Sequence, residues 1–517
     1  MGTTVRRGYA MWARLFRSVQ AQSPTLQGQL RDMFMHAVLE GFILPGEALP
    51  SSRVLARSLG LSRTTVMLTL QSLVDKGVIV GKPRSGYYVV KDLLSARLEA
   101  ACRTGQQSAT TGGMWDGRLT MTPSRQRNIE KPLDWQQLPY PFVYGQFDGS
   151  LFPVADWREC ALEVLQPRVL RRWAPDHIDH DESSLVEQIQ RRLLPSRGIW
   201  VDRDQILVTS GTQQAIFMLG TLLMGPDTRI GVENPGYPDA RNCFLLRSRH
   251  IRPLSVDEEG LIPGPDLAQC DYVFVTPSHQ CPTTVTLSLN RRQALLQSAQ
   301  RHDFIILEDD HESELNFSGK PTPALKSLDA AQRVIYMGSL SKTLAHGLRL
   351  GFVVASADLI RELRALRRLI MRHVPTNNQC AAASFIAHGH HEAYIHRLNS
   401  VYRSRAAALR TALAAHAPQL AQRPSHGGSA LWVEGPEGLD TRALSRRLYA
   451  RGVVVEPGDV FFWGADPPVR YLRLGYSSIP ETRIESGVRI LAEELSQEQP
   501  KTGLTHALPP QELSAGP

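Results

Sequence analysis

The sequence predicts a small helix-rich N-terminal domain joined to a larger α/β domain, whose mainly parallel sheet is covered by helices on both faces. Three observations support this fold class. Residues 23–91 hold closely spaced amphipathic helices and end in an apolar, strand-like run. From residue 140, short apolar runs alternate with amphipathic helical stretches, as in parallel sheets with helical crossovers. Beyond residue 360, long Arg- and Ala-rich helices and then short strands predict a smaller α+β domain.

These changes of pattern divide the chain of 517 residues into six segments. They are an N-terminal arm (1–22), the helix-rich domain (23–91), a polar, turn-rich linker (92–139), the large α/β domain (140–370), the small α+β domain (371–498) and a disordered tail (499–517). No apolar stretch approaches the roughly 20 residues that span a bilayer, and the N-terminus lacks the apolar core of a signal peptide. Six scattered cysteines without a CxxC pair predict reduced thiols. We therefore expect a cytoplasmic protein with no membrane partner, no disulfides and no metal site.

The positive charge is concentrated at the N-terminus. Residues 1–91 contain 12 Lys and Arg against 4 Asp and Glu, a net charge of +8. The whole chain also carries +8, so residues 92–517 are neutral overall. A basic module attached to a neutral one favours a polyanion partner for the first module, although a basic surface is often merely solvated.

Two short helices separated by a glycine turn are predicted within LPSSRVLARSLGLSRTTVMLTLQSLVDKG, residues 49–77. Ser51 or Ser52 can cap the first helix, and Gly60 suits the position just past its end. Ser62 can cap the second helix, whose apolar residues recur at helical spacing along one side. These residues are Val66, Leu70, Leu73 and Val74. The pattern is that of a helix–turn–helix, although a protein-interaction hairpin has the same periodicity.

In a helix–turn–helix, the first turn of the second helix faces the base edges of the DNA major groove. Here that turn consists of Ser62, Arg63, Thr64 and Thr65. Arg63 can pair with guanine through two hydrogen bonds, and the hydroxyls suit phosphates or bases. The following VIVGKPRSGYYVV predicts two strands around a basic tip, a wing that would bring Lys82 and Arg84 near the DNA backbone or minor groove.

The run PGEALPSSRVLARSLGLSRTTV, with the later glycine and SGYYV, closely resembles the GntR family of winged helix–turn–helix repressors. The resemblance implies that this domain binds a double-stranded DNA operator. It also implies that Arg53, Arg63, Thr65 and wing residues near Gly86 contact the DNA.

A lysine follows a predicted strand in the small-residue loop GSLSKTLAHGLRLG, residues 338–351. Lys342 would lie at the carboxyl end of that strand, where open α/β sheets bind ligands, and it can form a Schiff base with an aldehyde. Ser339, Ser341 and Arg349 could bind a phosphate there. A lone lysine is more often an ordinary surface residue, so the neighbouring motifs decide between the two interpretations.

Four further motifs favour a ligand site at the same edge of the sheet. Gly211, Thr212 and Gln213 in SGTQQA would present backbone N–H groups to a phosphate at a helix N-terminus. Tyr237 in ENPGYP offers a stacking ring, and a carboxylate of FIILEDDHE could keep a pyridine nitrogen protonated. Arg473 in YLRLGY could bind the carboxylate of a substrate.

Together these motifs resemble the fold type I aminotransferases, which use pyridoxal 5′-phosphate (PLP), over roughly residues 140–498. Behind a GntR-like domain, such a chain resembles the MocR (GabR-like) regulators. The resemblance implies that Lys342 carries the internal aldimine, Asp309 pairs with the pyridine nitrogen and Tyr237 stacks on the ring. The phosphate ligands that it implies are Ser339, Arg349, Gly211 and Thr212. It also implies that Arg473 binds an effector carboxylate, and that the chain forms a head-to-tail, domain-swapped homodimer.

Several positions depart from the family's usual pattern. His311 in EDDHESE replaces the tyrosine expected to hydrogen-bond the phenolic oxygen of PLP, although an imidazole can donate that bond. Cys281 in SHQCPTTV stands where an aromatic residue is common, or is simply a small apolar residue, and Thr284 stands where glycine is usual. PDHIDHDESSLVEQI, residues 175–189, is similar to regulators of ectoine breakdown, which implies an ectoine-derived amino acid as effector.

The sequence therefore predicts a PLP-dependent transcription regulator that senses a small amino compound through external aldimine formation at Lys342. Such a switch requires that the effector favour one conformational state over another. Two alternatives stay open: an active aminotransferase that also binds DNA, and a constitutive repressor whose cofactor domain only dimerises it. A complete set of lysine, aspartate and arginine favours the first alternative. His311, Thr284 and the replacement of the family's usual tyrosine–glycine segment by PDHIDHDESSLVEQI oppose it.

Overall fold

The computed structural model describes residues 12, 16, 25–39, 43, 46–82, 86–90, 115, 117–146, 148–317, 322–423, 425 and 427–497. Contacts within the chain divide it into two compact units, Met1–Thr120 and Met121–Pro517. Four of the predicted features lie outside the described residues: most of the arm, residues 92–114 of the linker, Arg84 of the wing and the tail 499–517.

The first unit contains closely packed helices and a hairpin. They are α1 (Leu26–Leu39), α2 (Ser52–Leu59), α3 (Arg63–Asp75), β1 (Ile79–Lys82) and β2 (Gly86–Val89). The two strands pair antiparallel, with Lys82 opposite Gly86, which confirms the predicted wing strands. Trp12, within the predicted arm, is buried in this unit, and its ring centroid lies 5.4 Å from that of Phe34.

The helix ends of the first unit follow the signals in the sequence. Ser51, rather than Ser52, caps α2, because its hydroxyl accepts a hydrogen bond from a first-turn N–H at 3.4 Å. Gly60 ends α2 at φ +68°, a left-handed conformation that glycine adopts without strain. Ser62 caps α3 by accepting the Thr65 N–H at 3.0 Å. The two helices are thus joined by the tight glycine turn that the sequence predicts.

The apolar stripe of α3 forms the core of this unit. Val66, Leu70 and Leu73 are completely buried and share one cluster with Leu55 of α2. Leu68 of the same helix is 54% exposed, so the two sides of α3 differ in burial. Packing of this one side fixes which face of α3 remains available to a partner.

The second unit alternates helices with strands. Its α-helices of six or more residues are α4 (Val154–Val164), α5 (Pro167–Trp173), α6 (Ser183–Gln188), α7 (Gly211–Leu223), α8 (Pro238–Leu245), α9 (Leu289–His302), α10 (Ala357–Met371), α11 (Thr376–Ala387), α12 (His390–His416), α13 (Thr441–Ala450) and α14 (Glu481–Ser496). Its strands are β3 (Tyr140–Pro141), β4 (Ile206–Thr209), β5 (Arg229–Asn234), β6 (His250–Asp257), β7 (Gly260–Leu261), β8 (Tyr272–Val275), β9 (Ile305–Asp310), β10 (Val334–Ser339), β11 (Gly351–Val354), β12 (Ala421–Gln422), β13 (Ala430–Glu434), β14 (Val453–Val454), β15 (Glu456–Pro457) and β16 (Tyr471–Gly475). The predicted apolar runs of the large domain coincide with strands of this series.

One eight-stranded sheet organises the large domain, in the order β4-β11-β10-β9-β8-β5-β6-β7. The pairs from β10 to β6 are parallel, whereas β11 runs antiparallel to both β4 and β10. The sheet is therefore mixed. The antiparallel direction of β11 could not be predicted from the sequence, because apolar periodicity is the same for both strand directions. Since β4, β5, β8, β9 and β10 run the same way, their carboxyl ends meet at one edge.

Helices cover both faces of this sheet. On β9, Leu307 clusters with Ile216 and Leu219 of α7, whereas Ile306 clusters with Leu295 of α9. Consecutive residues of a strand point to opposite faces, so β9 is apolar on both of its faces. The predicted sheet, buried on two sides, is confirmed.

The C-terminal part forms a second, antiparallel sheet in the order β12-β13-β16-β15, as expected of a smaller α+β domain. Residues 121–139, which the sequence assigns to the linker, belong to the second unit. There the Asn242 side chain donates a hydrogen bond to the Arg127 carbonyl at 2.9 Å. Within the parts of the chain that the structure describes, no helix has the length and apolar composition that crossing a membrane requires.

Candidate functional site

The first candidate surface is the N-terminal end of α3. Ser62, Arg63 and Thr64 are exposed there, whereas Thr65 is partly buried. Ser62 Oγ caps the helix and also lies 2.8 Å from Thr65 Oγ1, so these two hydroxyls are occupied with each other. The capping pair fixes the helix end from which the exposed Arg63 and Thr64 side chains can reach a DNA groove.

Two further basic residues that were predicted to contact DNA also lie on the surface of the first unit. Arg53 is exposed on α2, and Lys82 is exposed at the end of β1. Lys82 Nζ lies 4.7 Å from the centroid of the Tyr88 ring, a cation–π contact within the wing. Gly86 begins β2 at φ +103°, a conformation that favours glycine at this turn of the wing. Exposed cations on helix and wing are what binding to a polyanion requires.

The second candidate site lies at the carboxyl edge of the large sheet, and one corner of it suits a phosphate. Gly211 begins α7 directly after β4, at φ +76°. The Arg349 guanidinium lies over this glycine: its Nη2 donates to the Ser210 carbonyl at 3.2 Å, and a Cβ on Gly211 would lie 2.6 Å from that nitrogen. Glycine adopts this positive φ without strain and leaves room for the guanidinium. The first turn of α7, with Thr212 and Gln213, adds backbone N–H groups to the positive charge of Arg349.

Two polar side chains assigned to the same corner are already engaged. The Gln213 side-chain oxygen accepts the Tyr237 hydroxyl at 3.1 Å, so this side chain positions Tyr237. Ser341 donates its hydroxyl to the Leu350 carbonyl at 3.3 Å, which ties the loop after β10 to the start of β11. Ser339 is buried at the end of β10. These contacts hold the loop and the ring of Tyr237 in place beside the phosphate corner.

Lys342 lies in the turn after β10 and is partly buried. A Cβ built on Gly145 would clash with Lys342 Nζ and lie 3.6 Å from Glu312 Oε1, so the amine and the carboxylate face the same glycine. Lys342 Nζ also lies 4.5 Å from the centroid of the Tyr144 ring. Burial lowers the pKa of Lys342, while the nearby Glu312 carboxylate acts in the opposite direction. A lowered pKa raises the fraction of neutral amine, which is the nucleophilic form.

The two adjacent carboxylates at the end of β9 have different surroundings. Asp310 is fully engaged: it accepts the Arg197 Nε–H at 2.8 Å and the Tyr336 hydroxyl at 2.8 Å. Asp309 Oδ1 is buried and has no hydrogen-bond partner among the described residues. Burial raises the pKa of Asp309 to about 7, and the Asp310 charge adds to this. Of the carboxylates in FIILEDDHE that the structure describes, Asp309 is thus the one that offers a vacant acceptor for a protonated ring nitrogen.

The imidazole of His311 lies next to Asp309, with its Nδ1 3.9 Å from Asp309 Oδ2. Burial lowers the pKa of His311 to about 4, so the ring is neutral at pH 7. A neutral imidazole carries one N–H donor, which is what the tyrosine usual at this position would supply.

We expect Asp309→Asn to stabilise the cofactor-free protein at neutral pH. A carboxyl with a pKa of 3.8 when unfolded and about 7 when folded binds more protons in the folded state between those values. Its ionisation therefore costs stability as the pH rises from about 4 to 7, by up to roughly 4 kcal/mol. Asparagine does not ionise. The free energy of unfolding in urea should favour Asp309→Asn over wild type by a growing margin from pH 5 to pH 8.

Asp310→Asn is the matched control, because its Arg197 partner, together with hydroxyl hydrogen bonds, holds the pKa of Asp310 low. Removing this charge leaves Arg197 unpaired, so the variant should be less stable than wild type throughout the same range. A pH-independent difference between Asp309→Asn and wild type would contradict the assigned surroundings of Asp309.

Arg473 on β16 is a buried cation with spare hydrogen-bonding capacity. Its Nε donates to Glu456 Oε2 at 2.7 Å, while its Nη2 has no partner among the described residues. The guanidinium lies 4.0 Å from the centroid of the Tyr144 ring and 4.5 Å from that of Phe461. Tyr144 is thus flanked by Arg473 and Lys342, which brings the predicted carboxylate-binding residue into the same site as the lysine.

Sequence patterns alone assign no role to three residues of this site, although two of them, Glu312 and His346, lie within the quoted motifs. Glu312 is buried, accepts the Ser429 hydroxyl at 2.6 Å and faces Lys342 across Gly145. Tyr144 separates Lys342 from Arg473, and His346 lines a cavity with Lys342 and Glu312. Burial lowers the pKa of His346 to about 3, and neither ring nitrogen has a partner among the described residues. His346 lies within GSLSKTLAHGLRLG, so its place in that loop is the signal that could have identified it.

The two other unusual residues, Cys281 and Thr284, are both buried in the segment that follows β8. Cys281 is 5% exposed and packs with Trp432 and Phe461, and burial raises the pKa of its thiol to about 12. A protonated thiol among aromatic rings supports its interpretation as a small apolar residue. Thr284 adopts φ +61°, where a β-branched side chain is strained, which explains why glycine suits this position.

The arrangement fits a pyridoxal-type cofactor. Asp309 Oδ1 is a buried acceptor without a partner, as a protonated pyridine nitrogen needs. Arg349 over Gly211 supplies cation and backbone for a phosphate, and Lys342 supplies the primary amine. When bound, such a cofactor provides an aldehyde that reacts with amines and a ring that withdraws electrons.

Two family models match the chain: "Bacterial regulatory proteins, gntR family" over residues 26–89, and "Aminotransferase class I and II" over residues 145–491. The HTH-type transcriptional regulator TauR of Rhodobacter capsulatus is 39% identical over 473 residues, which cover 91% of this chain and 96% of TauR. The probable rhizopine catabolism regulatory protein MocR of Rhizobium meliloti is 29% identical, with 90% and 92% covered. The crystal structure of Pyrococcus horikoshii kynurenine aminotransferase in complex with PMP aligns with a TM-score of 0.68 at 26% identity, covering 75% of this chain and 97% of that one.

Each of the two matched regions lies within one of the two compact units of the structure. The regulators match along nearly their whole length, whereas the aminotransferase structure matches three quarters of the chain. This chain belongs to the MocR subfamily of GntR-type transcription regulators, with a winged helix–turn–helix domain and a fold type I aminotransferase domain whose cofactor is pyridoxal 5′-phosphate.

Proposed function

We propose that the first unit binds a DNA operator, and that a small amino compound controls this binding by competing with Lys342 for the aldehyde of PLP. The observation that carries the proposal is the convergence of Lys342, the unpartnered Asp309 Oδ1 and Arg349 at one sheet edge. In the other unit of the same chain, the first turn of α3 is exposed and capped by Ser62, which supports its role as the helix that reads the DNA. A role on DNA places the protein in the cytoplasm.

The residues around Lys342 suit an exchange of amines. Burial keeps the pKa of the Lys342 amine low, and the pKa of Glu312 is lowered by Lys342, His311 and the Ser429 hydroxyl against its own burial. Glu312 is therefore an ionised carboxylate that can hold the Lys342 ammonium once another amine has replaced it. Arg473, with one vacant donor nitrogen, can bind the carboxylate of the incoming compound.

An active aminotransferase is the second candidate function. The presence of Lys342, Asp309 and Arg473 in one site favours it, because these residues supply the amine, the ring-nitrogen partner and the carboxylate ligand. Steady conversion of an amino acid and 2-oxoglutarate by the PLP-loaded protein would establish turnover. Under the regulator proposal, amino compounds change the absorbance of the bound cofactor and the affinity for DNA without steady turnover.

We expect Arg63→Ala to remove most of the sequence preference in DNA binding. A two-pronged arginine–guanine contact contributes about 1–3 kcal/mol of discrimination, so the ratio of specific to non-specific affinity should fall roughly 5- to 150-fold. Fluorescence anisotropy with DNA from upstream of the protein's own gene and with a scrambled duplex measures this ratio. Arg57→Ala, which removes the same charge from an exposed position on α2, should leave the ratio unchanged. An unaltered ratio in Arg63→Ala would contradict the assigned recognition helix.

We also propose that the chain forms a head-to-tail, domain-swapped homodimer. Apolar side chains on α4, on α5 and in the turn between them are 40–63% exposed, namely Val154, Leu162, Leu165 and Leu170. Burying these side chains against a second copy would remove their apolar surface from water. Light scattering should give twice the mass of 57.5 kDa, and Leu162→Asp with Leu165→Asp should shift the protein towards monomer. A monomeric wild-type protein at micromolar concentration would contradict the proposal.

A further inference from the structure

Three side chains with sulfur or nitrogen ligand atoms meet between α4 and the junction of α11 with α12. Cys160 lies on α4, His388 directly follows α11, and His390 begins α12. The thiol sulfur and a ring nitrogen of each histidine all lie within 4.8 Å of one another. Gly389, at φ +78°, makes the turn between the two histidines. This left-handed turn brings both rings to the α4 side of the junction.

We propose that Cys160, His388 and His390 bind a zinc-like divalent transition-metal ion. One thiolate with two imidazoles is a donor set that Zn²⁺ prefers, and one that the harder Mg²⁺ and Ca²⁺ do not. Metal–ligand bonds of about 2.0–2.3 Å in a tetrahedral site separate the ligand atoms by about 3.3–3.8 Å. The His388 side chain is 41% exposed, so it can rotate to close the remaining ångström and give the ion access from solvent.

Each imidazole also has a carboxylate beside it. His388 Nε2 lies 4.0 Å from Glu163 Oε1, and His390 Nδ1 lies 3.9 Å from Asp156 Oδ2. Asp156, Cys160 and Glu163 follow one another at i, i+4 and i+7, so they share one face of α4. Carboxylates in such positions orient metal-bound histidines or complete the coordination as a fourth ligand.

Without a metal, the same residues would be a buried apolar cysteine and two surface ion pairs. That interpretation accounts for the complete burial of Cys160 in the core cluster. It gives no reason for both histidines to place a nitrogen near the one sulfur, across more than two hundred residues of sequence. A bound metal explains this arrangement, because it would join α4 to the α11–α12 junction and stabilise both.

The test uses the full-length, untagged, PLP-loaded protein after treatment with a chelator. Zn²⁺ is titrated in competition with a chromophoric chelator, and Co²⁺ serves as a spectroscopic probe of the thiolate. We expect one zinc ion per chain, a thiolate-to-cobalt absorption band, and a higher unfolding temperature with zinc. Cys160→Ser should abolish the band and weaken zinc binding about 100-fold or more, and Glu163→Gln should weaken it about 10-fold or more.

Matched controls separate this site from other thiols and histidines. Cys270→Ser and His396→Ala, at positions outside the cluster, should bind zinc as the wild type does. His388→Ala changes a half-exposed side chain, so it tests the site even where Cys160→Ser disturbs the core. Absence of stoichiometric zinc in the wild type, or unchanged zinc binding by His388→Ala, would overturn the proposal.

Discussion

Lys342→Ala should abolish the absorbance band near the visible edge that protein-bound PLP gives, and the cofactor should then be lost on gel filtration. Lys342 Nζ is the amine that faces the Gly145–Glu312 side of the site, and alanine supplies no amine to replace it. The phosphate corner around Arg349 remains in this variant. Residual binding of PLP should therefore be non-covalent and reversible. Absorbance spectra before and after gel filtration measure both effects.

Lys326→Ala is the matched control for this prediction. Lys326 is a lysine of the same unit, but its Nζ pairs with Asp329 at 3.1 Å, away from the cofactor residues. This variant should keep the full absorbance band. Persistence of the band in Lys342→Ala, or its loss in Lys326→Ala, would contradict the assignment of Lys342.

Arg473→Ala should both weaken the binding of carboxylated amines and destabilise the second unit. Glu456 is 3% exposed and would lose its 2.7 Å partner, and an unpaired buried charge costs about 3–5 kcal/mol. Lys131 Nζ, 3.8 Å from Glu456 Oε1, compensates part of this loss. Urea unfolding measures the destabilisation. Loss of a charge-assisted hydrogen bond to a ligand carboxylate should reduce affinity roughly 10- to 100-fold.

A double variant separates the ligand effect from the structural one. Arg473→Leu with Glu456→Gln removes both buried charges, so it should be more stable than Arg473→Ala. L-Alanine and ethylamine, which differ by one carboxylate, are the probes for binding. In the wild type, L-alanine should change the absorbance of bound PLP at lower concentration than ethylamine does, and in the double variant this advantage should vanish. Retention of the advantage would show that Arg473 does not bind the carboxylate.

Much of this architecture can be predicted from local patterns in the sequence. The caps at Ser51 and Ser62 and the turn at Gly60 depend on residues within a few positions of one another, and the structure confirms them. The motifs around Gly211 and Lys342 could be placed at one edge because strands of the same direction end together. A large part of the fold and of the cofactor site can therefore be predicted from local periodicity and from the positions at which strands end.

The remainder depends on contacts between distant segments, which leave no local pattern. Glu456 can be buried because Arg473 on the neighbouring strand neutralises its charge. The residues near Glu456 in the sequence give no indication of that partner. Tyr144 enters the site from a segment that only the folded chain brings between Lys342 and Arg473. The antiparallel direction of β11 and the packing of residues 121–139 on the second unit arise in the same way.

The central claim is that Lys342 couples an amino compound to DNA binding. The most direct test measures the affinity of PLP-loaded wild type and Lys342→Ala for DNA from upstream of the protein's own gene. Affinities are compared with and without a panel of amino acids, including ectoine-derived ones, and short amines. We predict that at least one compound changes the wild-type affinity by about 5-fold or more, and that Lys342→Ala shows no such change. An equal response in both proteins, or steady transamination with no change in DNA affinity, would contradict the claim.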